Sequence, residues 1–175
     1  MIIFGKLRAI MAAAVLCAAP AIALAVPVSA SAQTSELHLV RVSASYFNIV
    51  NGTGLCLDAD SNHWPNQNGD NVQLWSCNSH PEQKWIISGA HIENYDGQCL
   101  DADSNQIGVN GDNVQLWSCN NHGEQSWTWQ QNTTGQIVNA DHQCLDADSN
   151  HAGQNGDNVQ VWACNNHAEQ AWPSS

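Results

Sequence analysis

The sequence predicts an all-β chain, on three observations. Beyond the first 32 residues, no window carries the 3.6-residue apolar period of a helix. Short alternating stretches such as "VQLW" sit between runs of Gly, Asn, Asp and Ser. One pattern of about 43 residues occurs three times, with "CLDADSN" repeated letter for letter at 56–62, 99–105 and 144–150. A period in the low forties also fits a propeller blade, but three blades cannot close a ring and the Gly-His…Trp-Asp signature is missing. Three such units close instead as a pseudo-threefold barrel with a cap, a β-trefoil.

Taken in order, the chain opens with Lys6 and Arg8, a weakly apolar stretch and the small-residue site Ala30-Ser31-Ala32. That pattern predicts a secretory signal peptide over residues 1–32, hence an extracellular protein. Pro20 and the alanine-rich character argue against an uncleaved membrane anchor, and Leu16 before Cys17 argues against lipid attachment. Cleavage leaves residues 33–175 as one domain, with no membrane insertion. Its repeats span about 46–88, 89–133 and 134–175. The strand-like "ELHLVRV" at 36–42 precedes them. It is expected to pair near the C-terminus, because the last repeat stops at "QAWPSS" where its sisters continue as "IIS" and "TWQQ".

Within each repeat the same landmarks follow one another. An Ile (49, 92, 137) and then an Asn (51, 94, 139) lead to the first cysteine. "CLDAD" reads as a strand, "NG" of "NGDNVQ" as a hairpin turn, and "VQLW" or "VQVW" as a second strand. Six cysteines remain after signal removal, an even count that reads as a disulfide framework in a secreted chain. No Cys-x-x-Cys arm supports zinc. The repeat points to one bridge per unit, Cys56 with Cys77, Cys99 with Cys119 and Cys144 with Cys164. Each closes about 20 residues and contributes roughly 3 kcal/mol in the loop-entropy account.

Residues 33–175 hold only Arg41 and Lys84 against 16 acidic residues, a formal charge of −14. Phosphate backbones and anionic membranes bind through Lys and Arg, so nucleic acid is excluded as a partner. A neutral polar or a cationic ligand is left.

The repeat "CLDAD…NGDNVQLWSCN…EQKW" resembles that of ricin-B-type lectin domains, including three Gln-x-Trp signatures ending at Trp85, Trp127 and Trp172. The resemblance covers roughly residues 46–172. It implies a carbohydrate-binding β-trefoil with those three tryptophans in the core. It also implies sugar contacts from Asp58, Gln73, Trp75 and Gln83; from Asp101, Gln115, Trp117 and Gln125; and from Asp146, Gln160, Trp162 and Gln170. Where many members of that family carry Asn before the Gln, this chain has Glu82, Glu124 and Glu169. An ionised Glu only accepts hydrogen bonds, so the expected ligands are galactose-type sugars, with a hydroxyl pattern that can differ from that of other galactose binders, or amino sugars.

Strand parity leads to the same patch. With Leu57, Val72 and Leu74 facing a core, Asp58, Gln73, Trp75 and the disulfide share the other face. An indole covers the apolar face of a pyranose while a carboxylate accepts hydroxyl hydrogens.

Other readings of the same residues are weaker. Asp-x-Asp-x-Asn resembles the start of a calcium loop, but His63, Gln106 and His151 occupy its glycine position and the closing Glu is missing. Asp60, Asp103 and Asp148 are expected to hold Asx-turns instead. The His-x-Glu pairs at His80, His122 and His167 lack a third ligand, so they read as loop or rim residues and no metal is expected. Paired carboxylates suit glycoside hydrolysis only if the copies divide acid from nucleophile, and these copies are alike; no catalysis and no cofactor are expected. Asn51-Gly52-Thr53 and Asn132-Thr133-Thr134 match glycosylation sequons. Trp64, beside a one-residue insertion in the first repeat, is either a loop anchor or a rim contact to a longer glycan. The expectation is a secreted, non-catalytic lectin with three equivalent shallow sites for glycans or polysaccharides, acting by avidity. Its rival is a structural or partner-binding trefoil, an inhibitor or toxin subunit with vestigial sites. The intact Asp, Gln and Trp in every copy speak against that rival.

Overall fold

A computed structural model describes residues 45–60, 62–63, 65–103, 105, 108–130, 134–151 and 153–173. The expected signal segment, residues 36–42, Trp64 and Asn132 lie outside the described residues.

Ten strands follow in order: β1 (Cys56–Ala59), β2 (Val72–Trp75), β3 (Trp85–Ser88), β4 (His91–Asn94), β5 (Gln98–Ala102), β6 (Asp112–Ser118), β7 (Trp127–Trp129), β8 (Ile137–Asn139), β9 (Gln143–Ala147) and β10 (Asp157–Ala163). The antiparallel pairs β1–β2, β5–β6 and β9–β10 carry the three copies of "CLDA" and "VQLW" or "VQVW". They join one another around a pseudo-threefold axis: β10 pairs with both β2 and β6, and Asn71 bridges to Gln115. The hairpins β3–β4 and β7–β8 link consecutive repeats. This is the all-β trefoil that the repeats predict.

Alternation dictates the core. Leu57, Leu74, Leu100, Leu116, Leu145 and Val161 are fully buried together with Ile49, Ile92 and Ile137. Trp85, Trp127 and Trp172 fill the same cluster. Burying an indole leaves its N–H in need of an acceptor. Each finds one in the preceding "CLD" strand: Leu57 O at 2.9 Å, Leu100 O at 2.8 Å and Leu145 O at 2.9 Å. The Gln-x-Trp tryptophan thereby ties the end of its repeat to the beginning.

At the axis, three asparagines close a ring of amide hydrogen bonds. Asn71 donates to Asn158 (3.0 Å), Asn158 to Asn113 (3.0 Å) and Asn113 to Asn71 (3.2 Å). The adjoining "NG" forms a turn, but not the tight hairpin its letters suggest. Gly69 lies at φ 91° while Asn68 is not in the left-handed region, whereas the tightest hairpin turn needs positive φ at both central residues. The glycine N–H instead donates to Leu116 O of the next repeat at 2.8 Å, and Gly111 and Gly156 do likewise to Val161 and Leu74.

The last tryptophan is tied back to the start of its own repeat, as Trp85 N–H is to Phe47 O and Trp127 N–H to Ala90 O. Trp172 N–H donates to Thr134 O at 3.0 Å, and Ala171 O accepts Gly52 N–H at 2.7 Å. The Trp129 indole adds a bond to Trp172 O at 2.9 Å. Asn51 takes part by donating to Glu169 O at 3.0 Å. That duty buries Asn51, so this sequon residue presents no accessible amide for a glycan.

Candidate functional site

The strand register builds each site from opposed residues. Cys56 stands opposite Trp75 and Asp58 opposite Gln73; β5–β6 and β9–β10 repeat the pairing with Asp101, Gln115 and Trp117 and with Asp146, Gln160 and Trp162. Disulfides Cys56–Cys77, Cys99–Cys119 and Cys144–Cys164 join the strand pair in each unit.

Each aspartate is gripped by two amides. Gln73 Nε2 donates to Asp58 Oδ1 at 3.1 Å and Gln83 Nε2 donates to Oδ2 at 2.9 Å. The equivalents are 3.1 and 2.8 Å at Asp101, and 3.0 and 2.9 Å at Asp146. The face that parity assigned to solvent is thus partly roofed. The short 3-10 turns Pro81–Gln83, Gly123–Gln125 and Ala168–Gln170 fold over it and deliver the second glutamine.

That roof separates the glutamines by role. Gln83, Gln125 and Gln170 are 0% exposed. Gln83 also donates to Ser76 O (3.1 Å) and accepts Asn78 N–H (2.8 Å), so its polar atoms are all engaged within the protein. The same two bonds recur at Gln125 and Gln170. These three, expected among the sugar contacts, stand behind the carboxylates and orient them.

In front of each aspartate lies an open groove, of about 380 Å³ in the first repeat, 320 Å³ in the second and 360 Å³ in the third. Asp58, Gln73, Trp75 and Glu82 line the first, joined by Asp60, Asn62, Asn78 and His80. Their counterparts line the other two, including Glu124, His122 and Asn120, and Glu169, His167 and Asn165. Trp75, Trp117 and Trp162 are each 39% exposed, large aromatic surfaces left open to water. Asn78, Asn120 and Asn165 were missed as site residues, although each directly follows the second cysteine of its repeat. Their side-chain Oδ1 atoms accept the backbone N–H of His80, His122 and His167.

Asp60, Asp103 and Asp148 form the expected turns, accepting the N–H two residues on at 3.0–3.1 Å. Asn62, Asn105 and Asn150 side chains bond the same carboxylates, which fits a turn rather than a calcium loop. Among the described residues, the cluster with metal-ligand spacing is His91, Glu93, Cys99 and Cys119, none of which lines a groove. Its cysteines are consumed by their disulfide.

Burial pushes the carboxyls of Asp58, Asp101 and Asp146 above the ordinary aspartate range. The paired amides pull them back, and the nearby Glu82 and Asp60, or their equivalents, push upward again. Each groove is therefore a place where negative charge is crowded and partly dehydrated.

The family model of the ricin-type beta-trefoil lectin domain matches residues 45–172. A search of curated proteins gives no match. Among solved structures, the designed threefold-symmetric protein ThreeFoil is 20% identical with a TM-score of 0.64, over 73% of this chain and 96% of that one. The hemolytic lectin CEL-III is 23% identical with a TM-score of 0.61, over 74% of this chain; the match spans only 30% of CEL-III. The β-trefoil lectin of the Vibrio vulnificus hemolysin/cytolysin, solved with N-acetyl-D-lactosamine bound, is 20% identical with a TM-score of 0.57, over 74% of this chain and 92% of that one.

Proposed function

The chain belongs to the family of ricin-type β-trefoil lectin domains, and on that footing we propose that it is a secreted, non-catalytic carbohydrate-binding protein with three sites. Residues 1–32 act as the cleaved signal peptide and residues 33–175 as the lectin domain. The observation that carries this reading is the threefold recurrence of one arrangement. An amide-gripped aspartate, a second amide and a half-exposed indole line a shallow groove in every repeat. The indole of Trp75, Trp117 or Trp162 stacks on the apolar face of a sugar ring. Asp58, Asp101 or Asp146 accepts its hydroxyl hydrogens, and Gln73, Gln115 or Gln160 supplies a donor.

Such a site is weak alone. One stacked ring and a few hydrogen bonds of about 1 kcal/mol net each correspond to roughly millimolar affinity. Three sites around one axis gain on a dense polysaccharide, where avidity adds a factor on the order of 10² to 10⁴.

Substitution of each tryptophan tests this. Trp75→Ala, Trp117→Ala or Trp162→Ala alone should leave monosaccharide binding at the other two sites. Each should cut retention on an immobilised glycan by more than about a third, and the triple variant should abolish it while melting cooperatively. Loss of all monosaccharide binding from one single substitution would show that only that groove functions.

A further inference from the structure

We propose that the ligand of these grooves is a cationic amino sugar, a glycan whose hexose units carry a free protonated amine. The inference rests on the reading of the grooves as sugar sites and names what they select.

The first groove is lined by three carboxylates, those of Asp58, Asp60 and Glu82, and by no Lys or Arg. The other two repeat this with Asp101, Asp103 and Glu124, and with Asp146, Asp148 and Glu169. Among the described residues the only such cation is Lys84, and its Nζ is spent on Asn48 Oδ1 at 2.6 Å.

The three carboxylates of a groove differ in what already satisfies them. Asp58 holds two amide donors. Asp60 holds the backbone and side-chain N–H of Asn62. Glu82 has none: its Oε2 is shut off from water with no hydrogen-bond partner. Among the described residues, the side-chain carboxylates of Glu124 and Glu169 likewise make no hydrogen bond or ion pair. Each groove is thus lined by a glutamate carboxylate that no protein donor satisfies, beside two further negative charges.

The chemistry of that deficit selects the ligand. A sugar hydroxyl supplies one hydrogen and no charge. An ammonium supplies three N–H donors with a positive charge, forms the shorter charge-assisted bond, and accepts nothing in return. The neighbouring indole face favours a cation as well. Acidic sugars are repelled by the same carboxylates. A bridging metal ion is a poorer fit, because the oxygens of Asp58 and Asp60 are already turned toward N–H donors. An ammonium asks only for the free glutamate.

The test uses the secreted chain and two pairs of immobilised polymers: polyglucosamine against its N-acetylated form, and polygalactosamine against its N-acetylated form. In at least one pair the free-amine polymer should bind ten or more times tighter. That preference should shrink several-fold between about 0.05 and 0.5 M NaCl, as screening demands. A Glu82→Gln, Glu124→Gln, Glu169→Gln variant should bind the two forms within about twofold of each other; a cooperative melt establishes that it folds. Equal or weaker binding of the amine in both pairs overturns the proposal and leaves the lectin reading standing. A preference that survives the triple substitution, or binding abolished by a chelator, overturns it too. No binding to any sugar, on these polymers or on a glycan array, removes both this proposal and the reading beneath it. The salt dependence of the unaltered protein decides the matter even if the variant does not fold.

Discussion

Asp58 is held by two glutamines of identical chemistry, and their surroundings alone divide the work. Gln73 lines the groove, whereas Gln83 is sealed beneath the turn at Pro81–Gln83. Replacing Gln83 with Leu strands one buried acceptor, Asp58 Oδ2, and two part-buried groups, Ser76 O and the Asn78 N–H. Unmet buried groups cost about 1–3 kcal/mol each, partly relieved by relaxation. Gln83→Leu should therefore lower unfolding free energy by roughly 2–4 kcal/mol in a denaturant titration. Gln73→Ala should cost less than about 1 kcal/mol, because water can replace its amide. Equal costs would mean that both glutamines serve the fold alike.

The "NGDN" turn works between repeats more than within one. Asn155 Oδ1 accepts Ser76 N–H at 2.7 Å and Ser76 Oγ at 2.8 Å, reaching from the third repeat to the first. Asn68 does the same to Ser118 (2.7 and 3.0 Å), and Asn110 to Ala163 N–H (2.8 Å). The following glycine lets the turn approach the neighbour's tryptophan. A methyl group at Gly156 would come within 3.8 Å of the Trp75 ring, and one at Gly111 within 3.6 Å of Trp162. The Trp75 and Trp162 platforms are accordingly backed by a loop of the adjacent repeat, whereas a methyl group at Gly69 would meet nothing within 4 Å. Asn155→Ala should cost about 1–2 kcal/mol of stability. It should also weaken sugar binding in the first groove more than in the second, read by titrating ligand while following assigned indole N–H resonances. An unchanged first groove would show that the clasp is purely structural.

At the scale of the molecule, buried acids set the response to pH. Burial raises the carboxyls of Asp58, Asp101, Asp112 and Asp146, and raises Asp157 to about 6. Asp157 is 1% exposed, and neither of its carboxylate oxygens has a hydrogen-bond partner. The carboxylates of Asp148, Asp146 and Glu169 push it upward and His151 opposes them. In the first repeat the matching Asp70 is better served, by His63 Nδ1 at 2.7 Å and Gln67 N–H at 2.6 Å. A folded-state pKa above the unfolded 3.8 means that the fold takes up protons on acidification. The penalty is complete above about 6 and fades as pH falls toward 4. For Asp157 it amounts to at most about 3 kcal/mol. The melting temperature should therefore be several degrees higher near pH 5 than near pH 7.5 by calorimetry, and Asp157→Asn should flatten part of that slope. A melting temperature that falls on acidification over this range would contradict the assignment.

The repeat, the one-bridge-per-unit pairing and the shared face of Asp58, Gln73 and Trp75 could all be read from the letters. Each depends on spacing or strand parity, which are properties of a short stretch of chain. The buried place of Gln83, the groove-lining place of Asn78 and the inter-repeat duty of "NG" could not. Gln83 meets Asp58 across 25 residues, and Asn68 meets Ser118 across 50. Local pattern states which side of a strand a residue takes; only the packed chain decides what then covers that side. The C-terminus makes the same point. Ala171 O of the third repeat and Gly52 N–H of the first meet only once three units stand around one axis, which brings backbone groups from distant parts of the chain within hydrogen-bonding reach.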